Sequence, residues 1–440
     1  MIREMAVAGR RGIRFAGGPW GAALALLCAV RVGIPLVVLA ASGHRIPTLP
    51  PYDYNPLPGD AHGYYSAARD FMASWGRLGA PVLFLVVLAL GATAVCIVRL
   101  WPRRPALRPW LVVSAAAAFS LVVTLAVTKT SSQTGAPVFG WPLLWSLPML
   151  PYRAVGLPLD PDIAFVFGLV LLLAAEVVAV VATWYVGLRA TGKRSVALLA
   201  AGLYAVWPLL SGALSGDHGG MNGSWFADSG LCGCTEPVST AAVTVAVALL
   251  LAEAPGPLAL AACGVLLSFS AAVKLSNVLV ASLVLVLVAY RLGPRRTLPY
   301  LGGALSFVPV VAAWWSRGYG SSAQREHVFP SRPFSWDYLV PNWTDSLFFS
   351  SRAALALVPL VLVGVVVLRR RPAVALLGLV IVVNAAFYSF YAGTEIHPRF
   401  LLVALPAALV LWASGLVGLG SGLLGAVLGR ARARGKISPL

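Results

Sequence analysis

The segment Gly59-Asp60-Ala61-His62-Gly63-Tyr64-Tyr65 sets an acid, an imidazole and two phenols just beyond the first long apolar run. A carboxylate there can bind a metal, pair with an arginine, or take a proton from an attacking hydroxyl. It is also a common helix N-cap, because its oxygen accepts from otherwise orphaned backbone N–H groups. Further chemistry-bearing clusters follow in order. The first is Asp217-His218 with, past a glycine-rich stretch, Thr235-Glu236-Pro237. Then come Lys274-Leu275-Ser276-Asn277 between two apolar runs, and Glu395-Ile396-His397-Pro398-Arg399.

An isolated lysine among apolar helices costs a few kcal/mol unless it reaches water or an anion. Lys274 therefore has two readings: snorkelling to the interface, or binding a phosphate. Arg399 can grip a phosphate bidentately or pair with Glu395, one helical turn earlier. Glu236 before Pro237 suits the opening of a helix, where an acid complements the dipole and proline is tolerated. His218 and His397 stand near acids, yet no spacing matches a defined metal motif. A divalent cation stays open as a cofactor, and no metal ligand is assigned.

The elements that must position these groups are membrane helices. Charged residues make up 11% of the chain and hydrophobic ones 59%, against roughly 25% charged in soluble proteins, and the apolar runs reach spanning length. The predicted fold is all-α and polytopic. Apolar runs near 18–42, 80–98, 110–128, 162–188, 195–214, 236–252, 257–272, 275–290, 298–316, 353–368, 373–391 and 399–427 give twelve segments, within a range of ten to thirteen.

The net charge of +18 needs no nucleic-acid partner, because the positive-inside rule accounts for it. Arg3, Arg10, Arg11 and Arg14 fall on one side with the turns at 99–108, 189–194, 291–296 and 369–371 and the tail at 430–436. That assigns both termini to the cytoplasm. Of the acids, Glu4 and Glu253 share this side and Glu176 lies within a span; the others lie at or beyond the outer boundary. Residues 1–427 read as one transmembrane domain and 428–440 as a basic cytoplasmic tail. The first apolar run reads as an anchor, not a cleaved signal.

The outer loops, at 43–79, 129–161, 215–235 and 317–352, are longer than the inner ones, which places the chemistry on the extracytoplasmic face. From Ala61 to Trp75 the pattern is helical. Tyr64, Tyr65, Ala68, Phe71, Met72 and Trp75 line one face, and Arg69, Asp70 and Ser74 occupy the other. This predicts an amphipathic helix on the membrane surface. Residues 137–151 are apolar but short and proline-broken, a re-entrant or interfacial piece. The runs at 257–272 and 275–290 predict a hairpin of short helices lining a cavity. The aromatic loop 317–352 has two readings, sugar stacking and an interfacial belt. Cys28, Cys96 and Cys263 read as small apolar residues, whereas Cys232 and Cys234 are too close for a relaxed disulfide. Asn222-Gly223-Ser224 and Asn342-Trp343-Thr344 match the N-glycosylation pattern.

Taken in order, GDAHGYYSAARDF in the first outer loop, Cys234-Thr235-Glu236-Pro237, GVLLSFSAAVKLSN, WWSRGYGS and HPRFLLVALP resemble the GT-C superfamily of integral membrane glycosyltransferases. The resemblance is to its protein O-mannosyltransferase and aminoarabinose-transferase branch and spans about residues 50–410. It implies a polyprenyl-phosphate sugar donor, transfer of a hexosyl or pentosyl group, and a lipid, glycan or protein acceptor on the outer side. Asp60 would then be the general base. His62, Tyr64, Asp217, His218 and Glu236 would contact acceptor or sugar, and Lys274, His397 and Arg399 would bind the donor phosphate. Where relatives carry a second acid beside the first-loop Asp, this chain has Ala61 and His62, which favours a base over a metal ligand. The high Ala, Gly, Arg and Val content suggests a GC-rich bacterial genome and a role in the cell envelope. The competing classes are a transporter or flippase of a lipid-linked precursor and a non-catalytic envelope-assembly protein. Against transport stand the lack of an internal repeat and the clustering of polar residues at the outer face, not the midplane.

Overall fold

The computed structural model describes residues 18–41, 60–130, 139–156, 161–210, 235–252, 254–316, 333–343, 352–391 and 401–433. Each of the twelve apolar runs is helical in its described part. We label α1 (Pro19–Ala41), α2 (Asp60–Gly76), α3 (Ala80–Arg103), α4 (Arg108–Val127), α5 (Gly140–Ser146), α6 (Pro161–Thr191), α7 (Arg194–Ala205) and α8 (Glu236–Leu250). Then follow α9 (Pro257–Val273), α10 (Asn277–Leu292), α11 (Pro294–Leu305), α12 (Val308–Ser316), α13 (Arg352–Leu368), α14 (Ala373–Phe390) and α15 (Leu405–Ala433). Among the described residues the one extended pairing is an isolated bridge between Phe334 and Tyr391.

Six segments, α1, α3, α4, α6, α11 with α12, and α14, are long and apolar enough to cross a membrane. The shorter apolar helices include α7, α8, α9 and α10. Both α9 and α10 fall short of a hydrocarbon core of roughly 30 Å, at about 25 and 24 Å. The run at 298–316 is one span by length but bends at Ser306-Phe307, where α11 ends and Val308-Pro309 opens α12. Pro309 cannot supply the N–H that a continuous helix needs.

Close helix crossings rest on glycine. A methyl group on Gly264 of α9 would overlap the Tyr300 carbonyl of α11, and one on Gly303 would overlap the Ala261 carbonyl. Gly364 of α13 and Gly415 of α15 face each other's helix in the same reciprocal way, against Leu411 and Leu360. In lipid, where apolar burial drives little association, such backbone approach is a main source of helix affinity.

The amphipathic helix forms as predicted, but its apolar face does not lie on lipid. Tyr65, Ala67, Ala68 and Phe71 are buried, with Tyr65 against Trp145 and Phe71 against Trp314. Ser74, expected on the polar face, is also buried and donates to the Phe71 carbonyl at 2.6 Å. The reason is α5. Trp141, Leu143 and Trp145 are nearly fully buried in this short piece, which lacks the length to span. Non-spanning backbone at membrane depth must be wrapped in protein, and α2 supplies part of that wrapping. On its outer side Arg77 donates to Asp70 at 3.1 Å and to the Lys129 carbonyl at 2.8 Å, which ties the end of α2 to the loop after α4.

The helix ends sort by charge. Arg189 at the end of α6 donates to the Ala248 carbonyl near the end of α8. Arg291 of α10 reaches the Pro372 carbonyl before α14 at 2.9 Å. Three of the turns that the charge rule assigns to one side, at 189–194, 291–296 and 369–371, thus gather at one end of the bundle. Glu236 and Asn277 start helices whose other ends lie there, so they sit at the opposite end.

Candidate functional site

Thr235-Glu236-Pro237 opens α8 because proline tolerates the first turn and the acid suits the helix dipole there. That local role does not exhaust Glu236, whose side chain turns inward and is only 4% exposed. Lys274 follows the last residue of α9 with extended backbone, φ −145° and ψ 111°, while its N–H still closes the helix onto the Ser270 carbonyl at 2.8 Å. The chain then turns through Leu275-Ser276 into α10, with the Asn277 N–H on the Lys274 carbonyl at 3.0 Å.

At this tip Lys274 Nζ lies 3.1 Å from Glu236 Oε1, with the lysine side chain 8% exposed. The ammonium also stands 5.2 Å from the centre of the Tyr388 ring, within cation–π range. The Tyr388 hydroxyl meets Ser276 Oγ at 3.0 Å. One residue on, the fully buried Asn277 amide donates to Ser239 Oγ at 2.6 Å and Ser270 Oγ at 2.7 Å. A single side chain thereby joins α8, α9 and α10 beneath the ion pair. Lys274 does not snorkel; it is held inside the protein by a carboxylate and an aromatic face.

The segment 333–343 docks on the end of α14. Asn342 is buried and its amide faces the carbonyls of Tyr388, Ser389 and Tyr391 at 3.0, 3.2 and 3.0 Å. The glycosylation pattern at Asn342 therefore falls on a nitrogen that is enclosed and engaged. Trp343 Nε1 donates to Ser389 Oγ at 2.8 Å. Trp336, 77% exposed, packs edge-on against Phe390 at 4.6 Å.

The first-loop helix reaches the same region through α5. Tyr65 packs on Trp145, Trp145 on Trp141, and a methyl on Gly140 would come within 2.8 Å of the Ala272 and Val273 backbone. Tyr65, Phe71, Trp141, Val238, Ala272 and Val273 belong to one packed core. The helix that Asp60 begins and the residues flanking Glu236 and Lys274 are thus parts of one assembly.

Glu236 and Lys274, expected in separate roles, are brought together. Asp60 occupies the first position of α2 as expected, but its side chain and those of His62 and Tyr64 lie outside the described residues, as do Asp217, His218, His397, Arg399, Asn222, Cys232 and Cys234. Among the described residues no three His, Cys, Asp or Glu side chains converge on a point that could hold a metal. The hairpin at 257–292 forms, but the described cavity that α10 lines opens at its arginine-bearing end.

Sequence reasoning included Ser276 in the Lys274–Asn277 cluster but missed Tyr388, and it read Asn342 only as a glycosylation match. It also missed a second polar centre. Arg31 of α1, fully buried, forms a two-point ion pair with Glu176 of α6, at 3.0 Å from Nε and 2.8 Å from Nη2. Tyr204 of α7 donates to the same carboxylate at 2.9 Å, and its ring underlies the guanidinium at 4.8 Å. Counted from the arginine-bearing ends of their helices, the three residues stand about 18, 22 and 15 Å deep. That is near the middle of a core of about 30 Å. The expectation that polar residues avoid the midplane is therefore corrected. The available signal was a lone arginine inside the first apolar run and a glutamate in the middle of the run at 162–188.

No protein-family model matches the chain, and no curated protein shows significant similarity to it.

Proposed function

We propose that this chain is an integral membrane glycosyltransferase of GT-C type. In this reading it moves a hexosyl or pentosyl group from a polyprenyl-phosphate donor to a lipid, glycan or protein acceptor on the extracytoplasmic side. Twelve helices would cross the membrane, the six long ones and the six other apolar runs, with both termini cytoplasmic. The observation that carries this reading is the enclosed Lys274–Glu236 pair, whose flanking residues share one packed core with the helix that Asp60 begins.

The chemistry requires a base at the acceptor and positive charge at the leaving group. The acceptor hydroxyl attacks the anomeric carbon and gives its proton to the Asp60 carboxylate. The carbon–oxygen bond to the phosphate breaks, and the phosphate leaves with the electron pair. Lys274, with three N–H donors, meets the charge that develops there, while Glu236 and Tyr388 fix its position. His397 and Arg399 would complete the phosphate site, and His62, Tyr64, Asp217 and His218 the acceptor side. The Lys274–Glu236 contact supplies the fixed geometry from which such preorganisation works.

The midplane Arg31–Glu176 pair favours a second reading, transport of a lipid-linked precursor, because ionisable residues at that depth often mark translocation routes. One assay separates the two. Purified protein in proteoliposomes is given a radiolabelled polyprenyl-phosphate sugar and a membrane-extract acceptor. Label appearing in acceptor supports transfer; label crossing the bilayer still attached to its lipid supports transport. An Asp60→Asn variant that inserts normally yet transfers at the wild-type rate would remove Asp60 as the base.

A further inference from the structure

The arginines at the end of the bundle remote from Lys274 do more than mark a side. Arg189 from α6, Arg291 from α10 and Arg371 from the turn before α14 line one cavity of about 370 Å³. Its other walls include Leu250, Leu287 and Leu376. Arg371 also lines a neighbouring cavity of about 460 Å³ with Lys193, Arg369 and Arg370. Two of the guanidinium groups are held in place: Arg189 on the Ala248 carbonyl and Arg291 on the Pro372 carbonyl. Each leaves further N–H donors beyond those bonds. Among the described residues no carboxylate pairs with Arg189, Arg291 or Arg371.

The positive-inside rule explains basic residues in these turns. It does not explain why three from separate stretches of the chain, two helices and a turn, line one recess with leucine walls. A soluble polyanion would want an open basic surface. A fixed fork of guanidinium groups above an apolar wall matches a phosphate carried on an acyl chain.

We propose that this cavity binds a phosphate-bearing anion, namely the headgroup phosphate of an anionic membrane lipid in the leaflet at the arginine-bearing end. The site is separate from the proposed transfer site and stands whether or not that reading holds. Arg371, shared by both cavities and without a described structural hydrogen bond from its side chain, is the residue to remove.

The test uses the full chain purified in a neutral detergent, titrated with dioleoylphosphatidylglycerol, dioleoylphosphatidylcholine or inorganic phosphate. Bound lipid is counted by native mass spectrometry, and thermal stability is followed in parallel. The Arg371→Gln variant is compared with Arg295→Gln, an exposed arginine at the same end that lines neither cavity. The expected result is retention of phosphatidylglycerol over phosphatidylcholine, weakened about fivefold by Arg371→Gln, the scale of one basic contact, and unchanged by Arg295→Gln. Stabilisation by phosphatidylglycerol alone identifies a lipid as the source. Equal stabilisation by inorganic phosphate, lost in Arg371→Gln, keeps the site but makes its anion soluble. Equal weakening by both substitutions would mean diffuse attraction and overturn the proposal, as would no preference for either anion.

Discussion

Lys274 and Glu236, 38 positions apart, meet at 3.1 Å where α8 begins and α9 ends. Neither is accessible enough for water to stabilise its charge, so each depends on the other. Removing one leaves the other as an uncompensated buried charge, a loss of about 3–5 kcal/mol. If the pair served only packing, a matched apolar replacement of both would restore function.

The first prediction follows from that contrast. Lys274→Met with Glu236→Leu should recover much of the thermal stability that either change removes alone. It should still lower the rate of sugar transfer by about 10²-fold or more, the scale of losing a charge-stabilising donor. Stability in detergent and radiolabel transfer are measured on the same preparations. A double variant that transfers at the wild-type rate would show the pair to be structural.

Arg31 and Glu176 form the complementary case. Both are fully buried, and the two-point geometry with Tyr204 closes the centre. Arg31→Leu or Glu176→Leu alone should destabilise by about 3–5 kcal/mol, and the double variant by far less. Their thermal unfolding in detergent forms a double-mutant cycle. Full activity in the double variant would assign the pair to architecture; loss of lipid movement with folding intact would favour the transport reading.

Gly264 and Gly303 hold α9 against α11 with backbone on backbone. Gly264→Val should force the helices apart and lower the melting temperature sharply. Gly378, where an added methyl meets open space, should accept alanine with little change. Melting curves of the two variants provide the comparison.

Asn342→Asp should destabilise although the shapes are alike. The amide donates toward three main-chain carbonyls at the end of α14, and a carboxylate has no donor to offer them. Each buried carbonyl left unpaired costs about 1–3 kcal/mol. Limited proteolysis of the segment 333–343, compared between wild type and variant, reports the loosening directly.

The helices were legible in the sequence because their signal is local: runs of apolar residues bounded by arginines. The burial of α2 was not, since an amphipathic face reads the same against lipid as against Trp145. The same limit explains Ser74, whose hydroxyl satisfies itself on the Phe71 carbonyl and so tolerates a buried face. Lys274 was identified from its improbable position and Glu236 from the Thr-Glu-Pro opening of a helix, but their pairing depends on the α8–α9 contact, which no local pattern encodes. Tyr388 was missed because a tyrosine near the end of a span reads as an interfacial anchor.

The Arg31–Glu176 pair also bears on how the chain is made. Its partners are 145 residues apart, so α1 is synthesised well before the carboxylate that neutralises its arginine. At 5–20 residues per second that interval is on the order of ten seconds. An arginine at mid-depth carries an insertion penalty of roughly 3 kcal/mol. Until α6 arrives the first helix carries that penalty without its partner, and the apolar residues around Arg31 must offset it. The ion pair can form only after the middle of the chain has been made.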